Sequence, residues 1–98
     1  MAVKVLIKRI VPPDKAREML PLFRQMRVQA NDQSGYISGE TLRNLDKPDE
    51  FLVISTWDSS DDWKNWLQSS ERKEVQGKID DLLGGKTEHE IFHYRYSE

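Results

Sequence analysis

The stretch YISGETLRNLDKPDEFLVISTW, residues 36–57, holds two extended segments and the turn between them. Tyr36 to Leu45 reads as a strand, mostly polar for a core element, while Phe51 to Trp57 is the most apolar strand of the chain and belongs at the centre of a sheet. Asp46-Lys47-Pro48-Asp49-Glu50 between them has the chemistry of a tight turn, with the proline ring pre-set for its second position. Two strands joined so closely form an antiparallel hairpin.

On the N-terminal side, Val3 to Val11 alternates, with Lys4 and Lys8 on one side and Val3, Val5 and Ile7 on the other, a period of two that marks a strand. Pro12 and Pro13 stop it, since neither donates to a ladder. Asp14 then stands where a helix N-cap is expected. From Lys15 to about Ala30, the residues Ala16, Met19, Leu20, Phe23, Arg27 and Ala30 recur at helical spacing and predict an amphipathic helix, kinked but not broken at Pro21. Asn31-Asp32-Gln33-Ser34-Gly35 is polar and turn-rich and ends it.

On the C-terminal side, Ser59 and Asp62 stand at capping-box spacing and open a second helix whose buried face is Trp63, Trp66 and Leu67. A third helix begins at Ser69 or Ser70, carries Val75, Ile79, Leu82 and Leu83 on one side, and closes at Gly84-Gly85. Thr87 to Tyr96 alternates again as a last strand, with Glu90, Phe92, Tyr94 and Tyr96 on one side and His89, Ile91, His93 and Arg95 on the other. The order β-α-β-β-α-α-β is that of an α+β, ferredoxin-like domain spanning 1–98, an antiparallel sheet with helices on one face. The uncovered face carries branched and aromatic residues that water solvates poorly, which predicts a homodimer paired through the sheets.

Composition narrows the chemistry. There are 0 cysteines, so disulfides, thiolate metal sites and cysteine nucleophiles are excluded together. Fifteen basic against 17 acidic side chains, net charge −2, give no reason to expect nucleic acid or an anionic membrane. The first residues run straight into a charged strand, neither a leader nor a membrane span, so the cytoplasm is the expected location. No cofactor is expected, because Gly84-Gly85 follows a helix and no other glycine pattern resembles a nucleotide fingerprint. No metal site is expected either: His89 and His93 are four residues apart on a strand, about 13 Å, too far for one ion. Each of the two histidines remains a candidate general base on its own. Asp61-Asp62 and Asp80-Asp81 are adjacent pairs that do not face each other on a helix.

The run Gly35-Tyr36-Ile37-Ser38-Gly39-Glu40-Thr41-Leu42, then Phe51 to Trp57, then Trp63 and Trp66-Leu67, resembles the antibiotic biosynthesis monooxygenase family. The start of the third helix, Ser69-Ser70-Glu71-Arg72, and the closing Glu90-Ile91-Phe92-His93-Tyr94 share the likeness. What the resemblance implies is a dimeric α+β barrel with a cavity in each subunit between helices and sheet. Some members oxygenate electron-rich polyphenols or quinols with dioxygen and neither flavin nor metal, some cleave haem, and many have no known substrate. Trp66 matches the family's cavity tryptophan. The haem-ligating histidine of one branch falls at Gln76, and that branch's first-strand asparagine falls in Leu6-Ile7-Lys8, so haem degradation is disfavoured. The polyphenol branch has an asparagine where this chain has Asp62.

The resemblance thus implies a cofactor-independent monooxygenase acting on a small aromatic or quinol-type molecule. His93, His89 and Asp62 are its candidate catalytic groups, and Trp66, Trp63, Tyr36 and Phe23 the candidate substrate-binding residues. The alternative is a non-catalytic dimeric module that holds a small hydrophobic ligand. Trp63 and Trp66 at helical spacing also serve as bulk for a small core.

Overall fold

The computed structural model describes residues 1–85 and 87–95. Strand β1 (Val3–Ile10) leads through a single 3-10 turn (Pro13–Lys15) into α1 (Ala16–Asn31), followed by β2 (Tyr36–Arg43), β3 (Glu50–Trp57), α2 (Ser60–Gln68), α3 (Ser70–Leu83) and β4 (Glu88–His93). The four strands form one sheet in the order β2-β3-β1-β4, every neighbouring pair antiparallel. This is the ferredoxin-like α+β arrangement expected from the element order.

The sheet has two chemically different faces because β1 pairs with β3 and β4 in unbroken register. Val3, Val5, Ile7 and Arg9 on β1 are buried against the helices. Their register partners on β3 are Trp57, Ser55, Val53 and Phe51, and on β4 Val3, Val5 and Ile7 pair with His93, Ile91 and His89. The opposite face carries Leu6, Leu52 and Ile54 at its centre, flanked by Ile10, Leu42 and Phe92, which are 53%, 45% and 50% exposed. Lys4, Lys8, Glu88 and Glu90 are interspersed among them.

Local departures from the expected elements have identifiable causes. Asp14 does not cap α1: it lies inside the 3-10 turn, the N-cap is Lys15 and no side chain accepts there. The Lys15 ammonium instead donates to the carbonyl of Leu82 at 2.7 Å, at the electronegative end of α3. Helix α1 runs unbroken through Pro21. Its buried stripe is Met19, Phe23, Met26 and Ala30, so Leu20, one position out of phase, is 56% exposed. Strand β2 ends at Arg43 rather than Leu45, because the Asn44 side chain accepts from the amides of Asp46 and Lys47 and starts the turn early.

Both remaining helix starts are capped by serine. The Ser59 hydroxyl accepts from the Asp62 amide at 3.1 Å, and the Ser69 hydroxyl from the Arg72 amide at 3.2 Å. Ser69, not Ser70, is therefore the cap of α3, and Gly84 ends it at φ 74°, in the left-handed region where glycine is least strained. Strand β4 begins at Glu88 and ends at His93, and Tyr96 lies outside the described residues. Among the described residues no helix is long and apolar enough to cross a membrane.

Candidate functional site

Between the helix layer and the sheet lies a recess of about 60 Å³ whose lining is drawn from all three helices and from β1, β2 and β3. Its walls are aromatic. Trp57 meets Tyr36 edge-on at 5.3 Å between ring centroids and meets Trp63 at 5.8 Å. Trp66 lies one helical turn beyond Trp63 on α2, and Phe23 enters from α1. The three tryptophans are almost wholly buried. The indole of Trp57 donates to the Ser55 hydroxyl at 3.0 Å, whereas the Trp63 indole nitrogen is buried with no partner.

Close backbone approach makes room for the phenol. A β-bulge separates Tyr36 from Ser38, and the Tyr36 hydroxyl lies over Gly39, where a Cβ would collide with it. Burial pushes the Tyr36 phenol above its usual value, against a smaller opposing pull from Arg27, so it remains protonated at neutral pH. A protonated phenol at the edge of the recess is a hydrogen-bond donor.

Two of the three arginines in the lining, Arg9 and Arg72, are buried. Arg9 reaches in from β1 with its guanidinium 5.4 Å from the Phe23 ring centroid, and Arg72 from α3 lies 5.2 Å from that of Trp63. Arg9 donates to the Gln76 carbonyl at 3.1 Å, and the Gln76 amide donates in turn to Asp80 and to Thr87, both at 2.8 Å. Burial first, and for Arg9 the like charge of Arg72 second, pull the two guanidiniums down to about 10, while Asp80 opposes. Both stay charged at neutral pH.

The residues singled out in the sequence therefore separate into two groups. Trp66, Trp63, Tyr36 and Phe23 line one recess. His93, His89 and Asp62 do not. Asp62 is held by its cap, its Oδ2 accepting from the Ser59 hydroxyl at 2.9 Å and its side chain packed on Gly35. His89 stands on the edge strand β4, exposed, with its ring 5.3 Å from that of Trp63. His93 borders a separate surface groove with Met1, Val3, Ser59 and Ser60.

Sequence reasoning passed over Arg9 and Arg72, although each carries a signal. Arg9 continues the buried parity of Val3, Val5 and Ile7, and Arg72 precedes Val75 and Ile79 at three- and seven-residue spacing. A charged residue in phase with a buried stripe is the pattern to look for. Gln76, at the place of the haem-ligating histidine, is occupied on both its carbonyl and its amide. Among the described residues no group of three or more His, Cys, Asp or Glu can hold a metal ion.

Comparison with known proteins agrees with this architecture. The structure is similar to that of a conserved protein from Methanosarcina mazei Go1, with a TM-score of 0.88 at 21% identity over 97% of this chain and 94% of that one. A variant of SnoaB, a cofactor-independent oxygenase from Streptomyces nogalater, gives 0.84 at 21% identity over 98% of this chain and 95% of that one. Rv0793 from Mycobacterium tuberculosis gives 0.84 at 14% identity over 99% and 98%. At such identities these likenesses speak for the fold. A search of curated proteins finds no match. The model of one family, antibiotic biosynthesis monooxygenase, matches residues 2–78. With most of its length matched in this way, and the fold and recess to go with it, the chain belongs to the antibiotic biosynthesis monooxygenase family.

Proposed function

We propose that this chain is a cofactor-independent monooxygenase that acts, as a homodimer, on a small aromatic or quinol-type molecule. The observation that carries this reading is the recess itself: Trp57, Trp63 and Trp66 wall it, and the Tyr36 hydroxyl stands at its edge as a donor. Family membership supports the reaction type, and the likeness to SnoaB supports the fold in which it would occur.

In such a reaction the ionised substrate itself reduces dioxygen. Oxidation of a methylene to a carbonyl takes four electrons from the substrate. One oxygen atom enters the product, the other leaves in water with the two hydrogens of the methylene, and no outside reductant is needed. The protein's part is to exclude bulk water, hold the ring flat and supply donors to the developing oxyanion. Tyr36 suits the last role because it is protonated. The uncovered sheet face, with Leu6, Leu52 and Ile54 at its centre, is the surface through which two copies would pair.

Oxygen uptake measured with a panel of quinols and anthrone-type compounds tests the proposal. Uptake above buffer with at least one compound, lowered by Trp66→Ala or Tyr36→Phe, is the expected result. No uptake across the panel refutes it. A second reading, a binding module without turnover, is favoured by one observation: His89, His93 and Asp62 all lie outside the recess. An unreacted aromatic ligand that co-purifies under native conditions would establish that reading.

A further inference from the structure

A buried cation is stable only when something negative faces it. Arg9 and Arg72 are 4% and 5% exposed, and among the described residues neither forms an ion pair. Among the described residues Asp80 is the one carboxylate whose field reaches both, and its Oδ1 already accepts from Gln76 and Thr87. Two positive charges against one negative leave the interior one charge out of balance.

The orphan polar atoms of the lining residues are donors; the lining hydroxyls of Ser55 and Thr41 already accept from Trp57 and Arg27, and the orphan acceptor Gln29 Oε1 belongs to a residue outside the lining. Arg9 Nε and Trp63 Nε1 are buried donors without partners. Arg27, the third arginine of the lining, donates to Thr41 Oγ1 at 3.0 Å. Glu40 also borders the recess, but it is in register with Ile54, so its side chain belongs to the opposite face of the sheet and only its main chain can contribute. Cations and orphan donors set between aromatic rings, with no carboxylate side chain opposite among the described residues, are complementary to a flat anion.

We propose that Arg9 and Arg72 together bind the oxyanion of a planar aromatic ligand, a carboxylate or an ionised phenol or enol, whose ring lies among Phe23, Trp63 and Trp66. The proposal rests on the recess being the substrate site and adds to it the charge of the substrate. It also removes the need for a histidine base: the positive field favours the ionised form, and its proton is released to bulk water. As it stands the recess has room for water, whereas a dry cavity needs about 150 Å³ to take a benzene ring, so the ligand must displace part of the lining. The exposed Arg27–Thr41 bond between α1 and β2 is the least costly contact to give up.

Tryptophan fluorescence titration with 2-naphthoate and its neutral isostere 2-naphthamide tests the carboxylate form. Titration of 4-nitrophenol, whose colour reports its own ionisation, tests the phenolate form. The expected result is naphthoate binding about 10- to 100-fold tighter than the amide, or a lowered apparent pKa of bound nitrophenol. Either preference should disappear in Arg72→Met. Equal affinity for acid and amide together with unshifted nitrophenol, or no binding of any probe, overturns the proposal. The comparison of acid with amide uses the unaltered chain, so it stands even if Arg72→Met does not fold. Failure here is distinguishable from failure of the monooxygenase reading: preference for the anion without oxygen uptake sinks only the latter, and uptake indifferent to substrate charge sinks only the former.

Discussion

Replacing Gly35 with alanine should unfold this protein far more readily than an exposed loop substitution normally does. Gly35 has φ 83°, a conformation that costs a residue with a Cβ about 1–2 kcal/mol. The added methyl carbon would also stand 2.6 Å from Asp62 Cβ, an atom fixed to the first turn of α2, so that turn must move. Moving it loosens the Ser59–Asp62 cap, which is worth about 0.5–2 kcal/mol. The sum is a loss of about 1.5–4 kcal/mol, to be read by equilibrium urea unfolding at one fixed protein concentration, so that any association of copies is the same for each variant. On an Asp62→Gly background the obstructing atoms are gone, and Gly35→Ala should then cost only the backbone share, about 1–2 kcal/mol. A Gly35→Ala loss below about 0.5 kcal/mol, or two substitutions whose effects simply add, would show the contact to be irrelevant.

Three further outcomes are expected. Sedimentation velocity at micromolar concentration should give about twice 11.5 kDa, and Ile54→Lys in the middle of the uncovered sheet face should return the monomer; a monomeric parent chain refutes the pairing. Ser55→Ala should cost about 1–3 kcal/mol, because it strands the buried Trp57 indole N–H, and an unchanged urea midpoint would contradict that. The Glu50 carboxyl is held below its usual 4.5, chiefly by the hydrogen bond from Asn44, with burial opposing and Lys8 and Lys47 assisting. A depressed carboxylate stabilises the fold fully above that value and loses its contribution as the pH falls through its lower folded pKa. Glu50→Gln should therefore flatten the acid side of the stability profile and leave the slope above pH 7 as it was.

The fold was legible because each element carries a local marker that packing does not override. Val3, Val5 and Ile7 against Lys4 and Lys8 set both the strand and its buried side, Ser59 and Ser69 stop the chain where a cap is needed, and Gly84 closes the last helix. The phase of α1 was less legible, since choosing Met26 over Leu20 depends on how the helix sits on the sheet, which adjacent apolar residues do not reveal. Trp63 and Trp66 stood out because tryptophan has few places to go in 98 residues, whereas Trp57 at the end of its strand was not singled out for the recess that it lines. Its charged members could not be found by looking for bases. Histidine draws attention through its pKa, yet here both histidines stand on the edge strand, and Asp62 is drawn away by the cap that its own helix requires. Among the described residues the charged side chains that reach the recess are arginines, whose long apolar stems let them enter a core that shorter charged side chains would disrupt.

The burial of Arg9 and Arg72 without an ion pair among the described residues bears on the search for a ligand. If an aromatic anion binds beside Arg9 and Arg72 as proposed, it stabilises the native state by mass action, and the melting point then reports its binding. At 100 times the dissociation constant a ligand adds about 2.7 kcal/mol to the native state. In a domain of this size that is a rise of roughly 10–20 °C. On that proposal, unlabelled aromatic acids should be ranked by heating alone, and a melting point unmoved by any of them would count against it.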